Sequence, residues 1–105
     1  MPIKWSPLIV TEATNMIEQY VSQATLPLEQ VRIVAREARK IPNIPQYIDQ
    51  HFLRIIGEVD KVIGGSYLEP VGRFKTAIQG VRESLPDGAA EAERKRREEQ
   101  LSLVA

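Results

Sequence analysis

His51 is the only histidine of this 105-residue chain, so any imidazole chemistry must run through it. A general base needs a neighbour that orients it and a pocket that tunes it. Glu58 lies seven residues on, two helical turns away, so a neighbouring helix would have to supply the partner. The expectation is therefore a histidine at the edge of an apolar face with its ring half buried, and no catalytic residue is assigned. Metal binding finds even less support. Di-metal sites in helical bundles use a Glu-x-x-His pair on inward positions of two helices, with further glutamates from the others. The residue three before His51 is Ile48, and Asp49, Glu58 and Asp60 are expected on the polar side of their helix. Cysteine is absent, which removes thiolate catalysis and most structural zinc sites. No metal and no cofactor is assigned.

Two further patterns could meet an anion. Gly64-Gly65-Ser66 precedes a helix and could offer backbone amides to a phosphate. Its spacing matches neither the P-loop nor the dinucleotide fingerprint, no strand precedes it, and Glu69 would repel the ligand. A helix stop followed by a loop is the expectation there. The second pattern is a basic ridge, Arg32, Arg36 and Arg39 with Lys40 beside them, on one side of a helix. Such a row could follow a phosphate backbone, and a helix, a proline-containing turn and a second helix loosely resemble a helix-turn-helix. Glu29 and Glu37 interrupt the ridge. Up to residue 85 there are ten basic and nine acidic groups, a smaller excess than neutralising several phosphates asks for.

These residues need helices to hold them, and the apolar spacing predicts four. Ser6 as N-cap and Pro7 at the first helical position open the first, with Trp5 and Val10 placed to form a hydrophobic staple. Ile9, Val10, Ala13, Met16, Ile17, Tyr20, Val21 and Ala24 share its apolar face, and Thr14 falls on the polar one. The second helix buries Leu28, Val31, Val34, Ala35, Ala38 and Ile41. Pro27 stands between the two and is read as a tight turn, because proline lacks the amide and biases Leu26 away from helix. The third helix, capped by Asn43 with Gln46 three residues on, carries the widest apolar stripe, Ile48, Phe52, Ile55, Ile56, Val59, Val62 and Ile63, with Phe52, Ile55, Ile56 and Val59 at its centre. Gly64 is expected to be the left-handed residue that ends it. The fourth presents Tyr67, Val71, Phe74, Ile78, Val81 and Leu85, with Glu69 as cap and Pro70 first. Gly72 and Gly80 inside it suggest close packing against a neighbour.

Residues 89–105 change character. They hold good helix formers and i,i+4 pairs such as Glu93 with Arg97, but no apolar stripe. About a dozen residues without tertiary contacts make a marginal helix in water. The ending Leu103-Val104-Ala105 resembles the short Leu-Val-Ala endings that energy-dependent proteases recognise on tagged substrates, which would imply a degradation signal.

Composition bounds the rest. With 27% charged and 43% hydrophobic residues the chain belongs with globular rather than disordered proteins. Lysine plus arginine and aspartate plus glutamate number 14 each, so no net field draws it to DNA or to acidic membranes. The beginning, Met1-Pro2-Ile3-Lys4-Trp5, is not read as a signal peptide, and without cysteine a cytoplasmic location is expected.

The expected architecture is all-α, a four-helix antiparallel bundle with helices near 7–25, 27–41, 45–63 and 67–85. Three helices with one long, Pro27-kinked member are the alternative. Residues 1–86 form the domain and 87–105 a charged helical or frayed C-terminal tail. The expected function is a small non-enzymatic module that binds a protein partner or a second copy of itself, with no membrane and no small-molecule ligand. The exposed apolar residues Ile33, Tyr47 and Leu53 point the same way. The alternative is a nucleic-acid-associated regulator contacting its target through Arg32, Arg36, Arg39 and Lys40.

Overall fold

Ser6 and Pro7 start the first helix as their types predict. In α1 (Pro7–Val21) the Ser6 backbone is extended, its Oγ accepts the Ile9 amide at 3.3 Å, and Pro7 occupies a position that has no amide to satisfy. Trp5 packs on the core, and its own amide donates to the Pro42 carbonyl, which ties the start of α1 to the end of the second helix. The structure, a computed structural model, describes residues 5–65 and 70–104.

Pro27 marks a turn and not a kink. α1 stops at Val21, and α2 (Leu28–Arg39) begins directly after Pro27, whose carbonyl accepts the Val31 amide. Leu26 takes a left-handed φ of 43°, a conformation that costs a non-glycine residue about 1 kcal/mol or more. Leu26 packs against the core at that position, and this burial offsets the cost.

α3 (Gln46–Ile63) departs from the expected cap. Asn43 makes no side-chain cap. It is a left-handed turn residue with φ 63°, and Pro45 is the N-cap, its carbonyl receiving the Ile48 and Asp49 amides. Asparagine tolerates that region better than other side-chain-bearing residues, which explains its place. At the other end the left-handed residue is Gly65, φ 78°, one position beyond expectation, while Gly64 remains right-handed. α4 (Pro70–Ser84) follows. Ser66, Tyr67 and the expected cap Glu69 lie outside the described residues, as does Ala105. α5 (Ala89–Val104) follows a turn through Gly88, whose φ is 74°.

The described residues thus form an all-α fold of five helices without a β-strand. No helix among them is long and apolar enough to cross a membrane. α1 lies against α2 and α4, α3 lies against the same two, and the diagonal pairs do not approach. Arg39 pairs with Asp49 and Arg32 with Asp60, so α2 and α3 run antiparallel. Among the described residues α5 lies against α1 and no other helix, and the molecule measures 52 Å in one direction but 28 and 25 Å in the others.

The core contains Val10, Ile17, Val31, Ala35, Ile48, Phe52, Ile55, Val59, Phe74 and Val81, all fully buried. Phe52, Ile55 and Val59 are as deep as the apolar stripe predicts, but Ile56 is only partly buried against the core. Five assignments on the helical wheels change, two of them at helix ends, where Ala24 and Ile63, both placed on apolar stripes, are exposed. Thr14 is buried, its hydroxyl donating to the Val10 carbonyl at 2.7 Å, so its polar atom is satisfied within its own helix. Met16, placed on the apolar face, is 46% exposed. Glu58, placed on the polar face, is buried.

Candidate functional site

The basic ridge lies along α2 at its border with α3, and the structure surrounds it with carboxylates. Arg32 donates to Glu29 and, across the helix pair, to Asp60. Arg39 makes a two-pronged contact with Asp49, at 2.9 Å from Nε and 3.3 Å from Nη2. That hydrogen bond, chiefly, raises the Arg39 pKa above its ordinary value, so the guanidinium stays charged at any accessible pH. Lys40 pairs with Glu37. Arg36 alone of the four has no ion pair among the described residues. Two of the carboxylates that expectation left to solubility, Asp49 and Asp60, therefore staple α3 to α2.

His51 is half buried, and its ring lies over Gly80 of α4. A Cβ on Gly80 would stand 2.6 Å from the His51 Nδ1, which accounts for the glycine inside that helix. Gly72, by contrast, has nothing near its missing Cβ. Glu58 shares the α4-facing side of α3 with His51, about 10 Å further along the helix axis, and so cannot hydrogen-bond it. The Glu58 Oε2 is buried without a hydrogen-bond partner. No group of three His, Asp or Glu side chains among the described residues could hold a metal ion. Between α3 and α4 runs an open polar groove of about 560 Å³, with His51, Arg54, Lys75 and Glu83 on its walls. Its charges are mixed in sign.

A different surface stands out on the opposite side. Between α1 and α2 lies an apolar groove of about 420 Å³ whose floor and lips include Ile9, Ala13, Met16, Ile33, Val34 and Ile41. Met16 and Ile33, at 46% and 55% exposure, form the two lips. The groove exists because α1 and α2 each carry an apolar stripe wider than the core can cover. Ile33 and Val34, adjacent in sequence, straddle the edge of that stripe. Ile33 was legible as an exposed apolar residue. Met16 was not, since its wheel position is only marginally off the apolar centre.

Tyr47 and Leu53 are exposed too, at 51% and 49%, but they stand on α3 away from this groove. The contact that sequence reasoning missed altogether is Glu93. Its Oε2 accepts the Ser6 hydroxyl at 2.9 Å and the Leu8 amide at 3.1 Å, so a carboxylate from α5 completes the cap of α1. No local spacing signals a pairing across 85 positions. Family models, curated proteins and solved structures offer no match to this chain.

Proposed function

We propose that this chain is a non-enzymatic interaction module that meets a protein through the α1/α2 groove. The observation that carries this reading is the groove itself, an apolar depression flanked by an exposed methionine and an exposed isoleucine. An isolated exposed apolar residue is ordinary, but apolar residues gathered along a groove between two helices are a common way for a helical protein to receive a partner. Methionine suits such a surface because its flexible thioether adapts to what it meets. The charged side chains elsewhere support the reading by being engaged internally. Arg32, Arg39 and Lys40 of the ridge pair with α2 and α3 carboxylates, and Arg82 bridges to Asn15 and Glu18 on α1. The cytoplasm remains the compartment in this reading, since a chain without cysteine gains nothing from an oxidising one.

A photo-crosslinking residue introduced at Met16 tests it in the cell of origin. Discrete covalent adducts are expected from position 16, and none from the same residue placed at the exposed Gln79 in the polar α3/α4 groove. Equal labelling from the two positions, or none from either, would remove the groove as an interaction surface.

A further inference from the structure

We infer that the partner received by the α1/α2 groove is a basic amphipathic helix of another protein, apolar on one face with lysine or arginine along both edges of that face. This rests on the proposal that the groove is an interaction surface, and it adds the chemistry of the occupant. Among the described residues the charged side chains that line the groove are Glu12 of α1 and Glu37 of α2, and no lysine or arginine lines it. Both glutamates are exposed. Glu12 makes no hydrogen bond or ion pair among the described residues. Glu37 pairs with Lys40 at 3.1 Å, but the two side chains are 66% and 71% exposed, and so open a pair contributes little. An incoming cation can therefore share Glu37. Arg32 and Arg39 do not neutralise this edge, because they reach from α2 to the carboxylates of α3.

Two helices joined by a short turn run antiparallel, and the contact of the Trp5 amide with the Pro42 carbonyl places the start of α1 beside the end of α2. Ile9 therefore lies level with Ile41 at one end of the groove, and Met16 lies level with Ile33 at the other, about 10 Å further along. Glu12 and Glu37 stand between these apolar ends, one on each wall. An occupant lying along the groove meets apolar contact at both ends and a carboxylate on each side of the middle. A helix supplies that pattern. Its residues i and i+7 are about 10 Å apart on one face, and the positions beside that face can carry the cations. The depression, about 420 Å³, admits side chains while the partner's backbone lies over it.

Other occupants fit less well. Two carboxylates repel a phosphate backbone and an acidic lipid surface alike. The compact basic run of this chain, Arg94-Lys95-Arg96-Arg97 in α5, has no apolar stripe beside it, so a second copy does not offer the required face there.

Two synthetic peptides of about 15 residues test this, each with leucines at i, i+3, i+4 and i+7, one with lysines and one with glutamates along the edges of that face. Each is titrated into the full chain at low and moderate salt and followed by fluorescence anisotropy. The lysine peptide should bind with micromolar affinity, at least about tenfold more tightly than the glutamate peptide at low salt, and salt should narrow the difference. Met16→Gln combined with Ile33→Gln, both at exposed positions that leave the core intact, should weaken the lysine peptide about tenfold. Glu12→Gln combined with Glu37→Gln should remove most of the preference between the peptides. Glu98→Gln combined with Glu99→Gln on α5 makes the same change in net charge and should leave the preference as it was. No binding of the lysine peptide, equal binding of the two peptides, or a preference that survives Glu12→Gln with Glu37→Gln would each overturn the proposal. If Met16 still crosslinks to a discrete partner in the cell after such a result, the groove stands as an interaction surface and only the basic helix is overturned, whether that partner is a second copy or another protein. Loss of both the crosslinks and the peptide binding would overturn the two together.

Discussion

The carboxylate of Glu93 closes a gap that the first turn of α1 leaves open. The opening amides of any helix lack partners inside it, and the helix dipole places partial positive charge there. Ser6 takes one amide, and Glu93 takes the Leu8 amide while also receiving the Ser6 hydroxyl. With its side chain only 15% exposed, Glu93 makes these contacts where water screens them weakly. Glu93→Ala should therefore cost about 1–2 kcal/mol in urea unfolding, the usual range for losing a charged hydrogen-bond acceptor. Glu93→Gln, which keeps an acceptor but not the charge, should cost less. Glu91 is the control, because it is exposed and paired only with Arg94 one turn away. Glu91→Ala should change stability by about 0.5 kcal/mol at most. Faster hydrogen exchange at the Leu8 amide in Glu93→Ala would place the loss at this cap. Equal effects at positions 91 and 93 would show that the contact contributes nothing.

Among the helices, α3 and α4 show how two glycines with the same cost in isolation come to differ. Gly57 lies within α3 with open space where its Cβ would be, so Gly57→Ala should stabilise by about 0.5–1 kcal/mol. Gly80→Ala gains the same helix propensity but drives its methyl into the His51 ring. Its net effect should be zero or destabilising, and the gain should return when His51→Ala is combined with it. A double-mutant cycle in urea reads this coupling, and additive effects would mean that the ring gives way freely. The elements themselves were largely legible from sequence. Ser6-Pro7 and Pro27 act through local chemistry, so their helix starts can be read without knowing the fold. Gly64 failed by one position, because two adjacent glycines leave open which one takes the left-handed conformation, and Asn43 failed because asparagine serves both as a helix cap and as a left-handed turn residue. Thr14, Glu58 and Met16 failed for another reason. How far round a helix burial extends depends on where its neighbours sit, and no single wheel carries that information. The groove was legible only as Ile33, since its other lip and its depth arise when α1 and α2 meet.

Across the whole molecule, charge is balanced in number and locally paired in space. Lysine plus arginine equals aspartate plus glutamate, and the ridge on α2 faces a row of carboxylates on its own surface and on α3. A phosphate backbone approaching Arg32 or Arg39 must displace Asp60 or Asp49, and nothing in the net charge attracts it from a distance. No measurable binding to a generic duplex is therefore expected near physiological salt. Freeing the ridge should create it: Asp49→Asn combined with Asp60→Asn removes both interhelical carboxylates and leaves net charge positive. Affinity should then rise at low salt and fall steeply as salt is added, by roughly 0.9 in log affinity per log salt for each phosphate contacted. Replacing Arg32, Arg36 and Arg39 by glutamine in that variant should lower the slope by about three units. The decisive measurement is on the unaltered chain. Salt-sensitive micromolar binding that the triple glutamine substitution abolishes, with the fold intact by circular dichroism, would move the function from the groove to the ridge and to nucleic acid.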